Sequence, residues 1–166
     1  MPKPEFVNAC ERITKKQKQK QKFLDVGCGS GALIYDFLSK GLFAIGLDGS
    51  DGGKKFDVGF WNDITHLHTC DVTKVFSFVN DEEVEILFDV ISMWEVFEHI
   101  QEKDCAAILS HIKQNLSGTG IFVGSSSTLD YVNSEAGVPY HVTIKDKEWW
   151  KSLYVENRLE FVESEF

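Results

Sequence analysis

The sequence predicts an α/β domain, a doubly wound and mostly parallel sheet with helices on both faces. Three observations predict it. Short apolar runs alternate with segments of helical period, a glycine cluster follows the first of these runs, and a carboxylate closes the second about 20 residues later. At 166 residues the chain is expected to form a single domain with its own core. Residues 1–22 are expected to form an N-terminal helix and a Lys/Gln-rich arm, 23–127 the ligand-binding core, and 128–166 a loop, a helix and a final strand.

Taken in order, Phe6, Cys10 and Ile13 recur at helical spacing before the Lys/Gln run. Phe23-Leu24-Asp25-Val26 is a short apolar strand that ends at Gly27-Cys28-Gly29-Ser30-Gly31. The period then changes: Leu33, Ile34, Phe37 and Leu38 mark a helix, and Gly41 stands where a helix-terminating glycine is expected. Phe43-Ala44-Ile45-Gly46-Leu47-Asp48 is the second strand, followed by a polar, Gly-rich turn. A strand–helix–strand unit of this kind crosses over right-handed and leaves its strands parallel. His68-Thr69-Cys70-Asp71 is a short third strand, and Leu87-Phe88-Asp89-Val90-Ile91-Ser92-Met93-Trp94 a fourth. Cys105, Ile108, Leu109, Ile112 and Leu116 share one helix face, Gly118 lies beyond that helix, and residues 120–124 make a fifth strand. A Ser/Thr/Gly-rich loop, a helical piece around Trp149 and Trp150, and a strand from Leu159 complete the chain. It is short for a full sheet of this type, so the last strand is expected to be missing.

Bulk properties narrow the function. The composition, 43% hydrophobic and 26% charged, is that of a globular protein. Net charge is −9, and five of the 17 basic residues sit together as Lys15, Lys16, Lys18, Lys20 and Lys22. The rest of the chain is therefore more acidic still and would repel a phosphate backbone, so no nucleic-acid partner is expected. The basic run reads as a solvated helix end or linker. Cys10, Cys28, Cys70 and Cys105 form no C-x-x-C pair and no secretory leader is evident, which points to a reducing, cytoplasmic setting. No apolar run approaches the ~20 residues that would cross a bilayer.

The glycine cluster lets the backbone pass close to a ligand, and the following helix start offers N–H groups, so a nucleotide-like ligand is expected. Asp48 stands where a carboxylate would accept hydrogen bonds from ribose hydroxyls. These features do not name the ligand, because Gly27-x-Gly29-x-x-Ala32 also satisfies the dinucleotide fingerprint.

Resemblance separates the two. Leu24-Asp25-Val26-Gly27-Cys28-Gly29-Ser30-Gly31 resembles the first motif of the class I S-adenosylmethionine-dependent methyltransferases, which have a Rossmann-like fold. Gly46-Leu47-Asp48-Gly49-Ser50 resembles their second motif, Thr69-Cys70-Asp71-Val72 the stretch whose acid bonds adenine, and residues 88–100 the fourth-strand motif. The resemblance implies a cofactor site built from Asp25, Gly27, Cys28, Gly29 and Gly31 around the methionine part, Asp48, Gly49 and Ser50 at the ribose, Asp71 and Val72 at the adenine, and Met93 or Trp94 near the sulfonium. Met93 and Trp94 read equally as core, and Asp71 as a turn residue.

Glu95-x-x-Glu98-His99 starts where the fourth strand ends. On a helix the three would share one face and could pass a proton or hold a metal. A similar pattern in the ubiquinone-biosynthesis O-methyltransferases implies divalent-metal binding, while the residues alone also allow a helix-start carboxylate beside a surface histidine. His141, in Tyr140-His141-Val142-Thr143, lies where similar small methyltransferases line the acceptor pocket. Glu95, His99 and His141 are thus the catalytic candidates, with either histidine as general base. The motifs of amino-methylating and cytosine-methylating DNA enzymes are absent, which leaves a hydroxyl of a small molecule or glycan as the expected acceptor. A nicotinamide-dinucleotide oxidoreductase and a non-catalytic cofactor-binding module that needs a partner chain are the competing readings.

Overall fold

The structure is a computed structural model and describes residues 10, 20–129, 132–133 and 138–160. Five strands form one sheet: β1 (Lys22–Val26), β2 (Phe43–Asp48), β3 (Leu67–Thr69), β4 (Phe88–Trp94) and β5 (Leu116–Ser125). Their order is β3-β2-β1-β4-β5 and every pairing is parallel. The expected α/β architecture is therefore present. The chain runs outward from β1 to β3 and then returns to β4 on the other side of β1, so the topological switch, where such folds bind ligands, lies between β1 and β4.

Successive strand residues point to opposite faces, and the core divides accordingly. Leu24, Ile45 and Ile91 pack with Ile108, Leu109 and Ile112 of α3 (Glu102–Asn115). Phe23, Ala44 and Val90 pack with Ile34 and Phe37 of α1 (Ala32–Ser39), where the Phe23 and Phe37 rings stack at 4.3 Å. Each such fully buried side chain contributes about 1.5–3 kcal/mol. α1 ends as the sequence predicts, with Gly41 at φ 71° donating to the Leu38 carbonyl at 2.9 Å. α3 carries Glu102 and Asp104 in its first turn and Lys113 in its last, complementing the helix dipole. A four-residue helix, α2 (Gly52–Lys55), follows β2, and α4 (Lys147–Glu156) is capped by the Asp146 carboxylate, which accepts from the Trp149 N–H. Among the described residues no helix is long and apolar enough to cross a membrane.

Several expectations are corrected. The third strand stops at Thr69, because the Asp71 carboxylate turns back to accept from the Thr73 N–H and hydroxyl. The α3 helix ends at Asn115 and β5 begins at Leu116 without a loop, so Gly118 lies within the strand. No helix starts at Glu95: its φ is 52° and only residues Phe97–His99 form a 3-10 turn, so Glu95, Glu98 and His99 do not line one helical face. Within the Ser/Thr/Gly-rich loop, β6 (Val132–Asn133) and β7 (Val138–Pro139) pair antiparallel. Leu159 and Glu160 are outside any strand. Of the expected N-terminal helix only Cys10 is among the described residues, and 161–166 of the expected final strand lie outside them.

Candidate active site

The site is built on the C-terminal rim of the sheet. After β1 the chain turns through Gly27, Gly29 and Gly31, at φ 78°, 54° and 78°. Two of these glycines are demanded by packing as well. A Cβ on Gly27 would lie 2.2 Å from Val96 Cγ2, and one on Gly31 2.4 Å from Leu67 Cδ1. The loop is folded by its own bonds: the N–H groups of Gly27 and Cys28 donate to the Leu47 carbonyl at 2.7 and 2.9 Å, and Gly31 N–H to the Cys28 carbonyl. Gly29 N–H donates to Asp48 Oδ2 at 2.9 Å. These four N–H groups are thus spent within the protein.

What the loop does offer is access. Cβ positions on Gly29 and Gly49 face open space, with nothing within 4 Å of either. Between them lies the Asp48 carboxylate, whose Oδ1 accepts from Ser50 N–H at 3.0 Å. Each carboxylate oxygen has two lone pairs, so Asp48 is held in place by backbone donors and keeps acceptor capacity for hydroxyls. Cys28 instead packs beneath the loop beside Gly46, where burial pushes its thiol up to about 12. Asp25, next to Ser92 in the sheet register, is buried and accepts from the Ser92 hydroxyl at 2.7 Å. Burial pushes its carboxyl up to about 7; the Ser92 hydrogen bond opposes this and the Asp48 charge adds to it.

Asp71 is exposed, and the Thr73 hydroxyl and N–H hold its carboxyl below the usual range. Val72 is buried and its carbonyl faces His111 Nδ1 at 3.2 Å. Met93 is wholly buried in the core on the α3 side, so its side chain does not reach the rim, whereas Trp94 is exposed at the end of β4.

The catalytic candidates divide. Glu95 turns toward β5, taking the Ser125 hydroxyl on its carboxylate. Glu98 is buried, 1% exposed, and accepts from the Ser126 hydroxyl and Ser127 N–H, both at 3.2 Å. Its backbone carbonyl accepts from the N–H groups of Val142 and Thr143, which brings the segment around His141 back to the rim. Ligand-type atoms of Glu98, His99 and His141 consequently lie within 4.8 Å of one another. The His99 and His141 rings are 5.0 Å apart, and Tyr140 stands 4.5 Å from His99. His99 Nδ1 faces the Tyr140 carbonyl at 2.9 Å and His141 Nδ1 the Leu129 carbonyl at 2.8 Å. A carbonyl only accepts, so each neutral imidazole donates through Nδ1 and carries its lone pair on Nε2. The set joins two bases to a buried carboxylate and suits either proton removal or a divalent cation.

Sequence reasoning missed the pairing of Glu98 with Ser126 and Ser127, and the indole of Trp61, which donates to the Gly29 carbonyl at 2.7 Å. Neither has a sequence signature. Trp150 is buried 5.5 Å from Phe97 and packs α4 onto the sheet rather than lining the rim.

A parallel sheet with this strand order, a glycine turn after β1 and an acid after β2 define a Rossmann-like nucleotide-binding protein. The chain belongs to the methyltransferase domain family, whose model matches residues 5–163. S-Adenosylmethionine is the cofactor of this family, and the dinucleotide reading is set aside. No curated protein matches the sequence. Among solved structures, a SAM-dependent methyltransferase from Archaeoglobus fulgidus superposes with a TM-score of 0.62 at 17% identity, covering 92% of this chain and 67% of its own. SAM-bound CalS10, an amino pentose methyltransferase from Micromonospora echinaspora, gives 0.54 at 19%, covering 78% and 51%. PKMT2 from Rickettsia typhi in complex with AdoHcy gives 0.54 at 20%, covering 74% and 24%. The chain thus spans about half the length of the first of these last two proteins and about a quarter of the second.

Proposed function

We propose that this single domain is a methyltransferase that transfers the methyl group of S-adenosylmethionine to a hydroxyl of a small molecule or sugar. The observation that carries the reading is the meeting of His99, His141 and Glu98 at the rim of β4, next to the switch point. On the cofactor side, the open space at Gly29 and Gly49 fits a ligand passing over the loop, and Asp48 between them fits its ribose hydroxyls. Asp25, Gly27, Gly31 and Ser50 shape this cradle, and Asp71 and Val72 border its far end. S-Adenosylmethionine, when bound, supplies a methyl carbon already activated by its sulfonium.

The residues then have two tasks, to align the acceptor oxygen with that carbon and to take its proton. Nε2 of His99 or His141 takes the proton, and the buried Glu98 carboxylate stabilises the resulting imidazolium. Glu95, bonded to Ser125, fixes the turn that leads from β4 into this cluster. Exposed Tyr140 and Trp94 offer apolar faces to the acceptor. Glu98, His99 and His141 also have the donor types to hold a divalent cation, which would lower the acceptor's pKa there. An acidic chain supports the absence of nucleic acid among the acceptors, and unpaired thiols at Cys28, Cys70 and Cys105 support a cytoplasmic setting.

The test is calorimetric titration with S-adenosylhomocysteine and, separately, NAD, followed by a screen of sugar and phenol acceptors. Binding of S-adenosylhomocysteine that is lost in Asp48→Ala, with turnover that falls at least tenfold in His99→Ala or His141→Ala, is expected. Cofactor binding without turnover of any acceptor by the isolated chain would favour a binding module completed by a partner.

A further inference from the structure

The segment between β2 and β3 folds back over the glycine loop, and it does so through residues the cofactor motifs do not include. Trp61 is 6% exposed, and its Nε1–H donates to the Gly29 carbonyl at 2.7 Å. One residue earlier, the Phe60 N–H donates to the Ser30 carbonyl at 2.9 Å, and the Phe60 ring stacks on Tyr35 of α1 at 4.1 Å. Two glycines make this approach feasible. A Cβ on Gly53 would lie 2.2 Å from Trp61 Cδ1, and one on Gly59, at φ 68°, 2.3 Å from the Ser30 carbonyl oxygen.

We infer that Trp61 is a positioning residue for the cofactor, acting on Asp48 through Gly29, whose two flanking peptides the indole and the carboxylate hold. The chain of contacts is continuous: the indole N–H holds the Gly29 carbonyl, and the Gly29 N–H holds Asp48 Oδ2. The gripped carbonyl belongs to the peptide after Gly29 and the N–H to the peptide before it, so the indole and Asp48 hold the two sides of a glycine whose φ and ψ are otherwise soft and which has no side chain of its own to anchor it. The carboxylate that receives the ribose hydroxyls is thereby set before the ligand arrives. This inference rests on the cofactor reading given above and adds to it a residue that no part of the glycine motif contains.

Trp61→Phe keeps a ring and removes the donor. Loss of one such hydrogen bond is expected to weaken S-adenosylhomocysteine binding by about 3- to 10-fold. Phe56→Ala, in the same segment but 70% exposed, is expected to bind as the wild type does. If the effect travels through Gly29 to Asp48, Trp61→Phe costs less than about twofold in an Asp48→Asn background, since coupled residues are non-additive. Hydrogen exchange of the amides in 27–31 is expected to quicken in Trp61→Phe while the melting temperature stays within a few degrees of wild type. Unchanged affinity in Trp61→Phe, or an equal loss in both backgrounds, overturns the inference. A wild type that does not bind S-adenosylhomocysteine overturns the cofactor reading instead. In that case the exchange measurement still decides the clamp, and unchanged exchange in 27–31 refutes it.

Discussion

Asp25 is a buried acid that among the described residues accepts from the Ser92 hydroxyl, and its ionisation should set a measurable part of the pH dependence of stability. The carboxyl is 4% exposed and its pKa is raised from 3.8 to about 7 in the folded chain, chiefly by burial and further by the charge of Asp48. In the unfolded chain it returns to its ordinary value. Between those two values the folded state holds more protons than the unfolded state, so stability falls as pH rises across this window, and the full penalty applies above about pH 7. A shift of about three units corresponds to about 4 kcal/mol in total, of which about 3 kcal/mol accrues between pH 5 and pH 8. Asp25→Asn retains a partner for the Ser92 hydroxyl and cannot ionise. The melting temperature of Asp25→Asn relative to wild type should therefore be higher at pH 8 than at pH 5 by about 5–10 °C. Scanning calorimetry of both proteins across that range gives the difference directly, and other acids common to both cancel. A difference that is flat with pH, or that grows toward acid, would falsify the burial argument for Asp25.

Further outcomes follow from the same geometry. Gly27→Ala combines a left-handed backbone with a Cβ 2.2 Å from Val96 and should cost about 2–4 kcal/mol by denaturant unfolding; a loss below 1 kcal/mol would mean that the loop relaxes away from β4. Ile108→Ala, at a fully buried position in α3, should cost about 2–5 kcal/mol without altering the affinity for S-adenosylhomocysteine measured in folded protein. Asp146→Ala removes the cap on the Trp149 N–H and should lower stability by about 1 kcal/mol, which urea titration can resolve. Glu98→Gln keeps an oxygen acceptor for the Ser127 N–H and turns an amide N–H toward the Ser126 hydroxyl, which can accept it, but removes the negative charge beside the histidines, so turnover should fall at least tenfold with little change in cofactor affinity. Equal turnover by Glu98→Gln and wild type would remove Glu98 from the mechanism.

The parts legible in the sequence are those whose burial is complete. β1, β2 and β4 are near-continuous apolar runs because both faces of a parallel sheet are covered, and β2 matches its expected bounds. β3 is short and carries exposed His68 and Thr69, so its pattern is weak and its end was misplaced. The expected helix from Glu95 fails for a tertiary reason. Val96 must tuck against Gly27, and the chain leaves β4 through a left-handed residue that no periodicity announces. The glycine turn after β1 and the acid that ends β2 were visible because they follow strands in fixed motifs. The His99–His141 pairing was not, since the two join only where Val142 and Thr143 bond the Glu98 carbonyl. Trp61 sits in a polar segment without repeat, where a buried indole looks like any loop aromatic.

The absence of any linker between α3 and β5 bears on which changes of length this fold can absorb. Asn115, the last residue of the helix, is tied by its side-chain amide to the Phe76 and His111 carbonyls, and Leu116 already opposes Phe88 across the sheet. In β5, Ile121 and Val123 face the α1 side while Phe122 faces the α3 side. A single residue inserted at this junction has no slack to occupy and would shift the strand by one, which exchanges the two faces along its length. The exposed stretch 79–85, closed on itself by the turn at Asn80 and a bridge between Val79 and Glu85, carries no such constraint among the described residues. Insertions in natural relatives, and tags or reporter domains in engineered ones, should therefore be found at 79–85 and be excluded at 115–116.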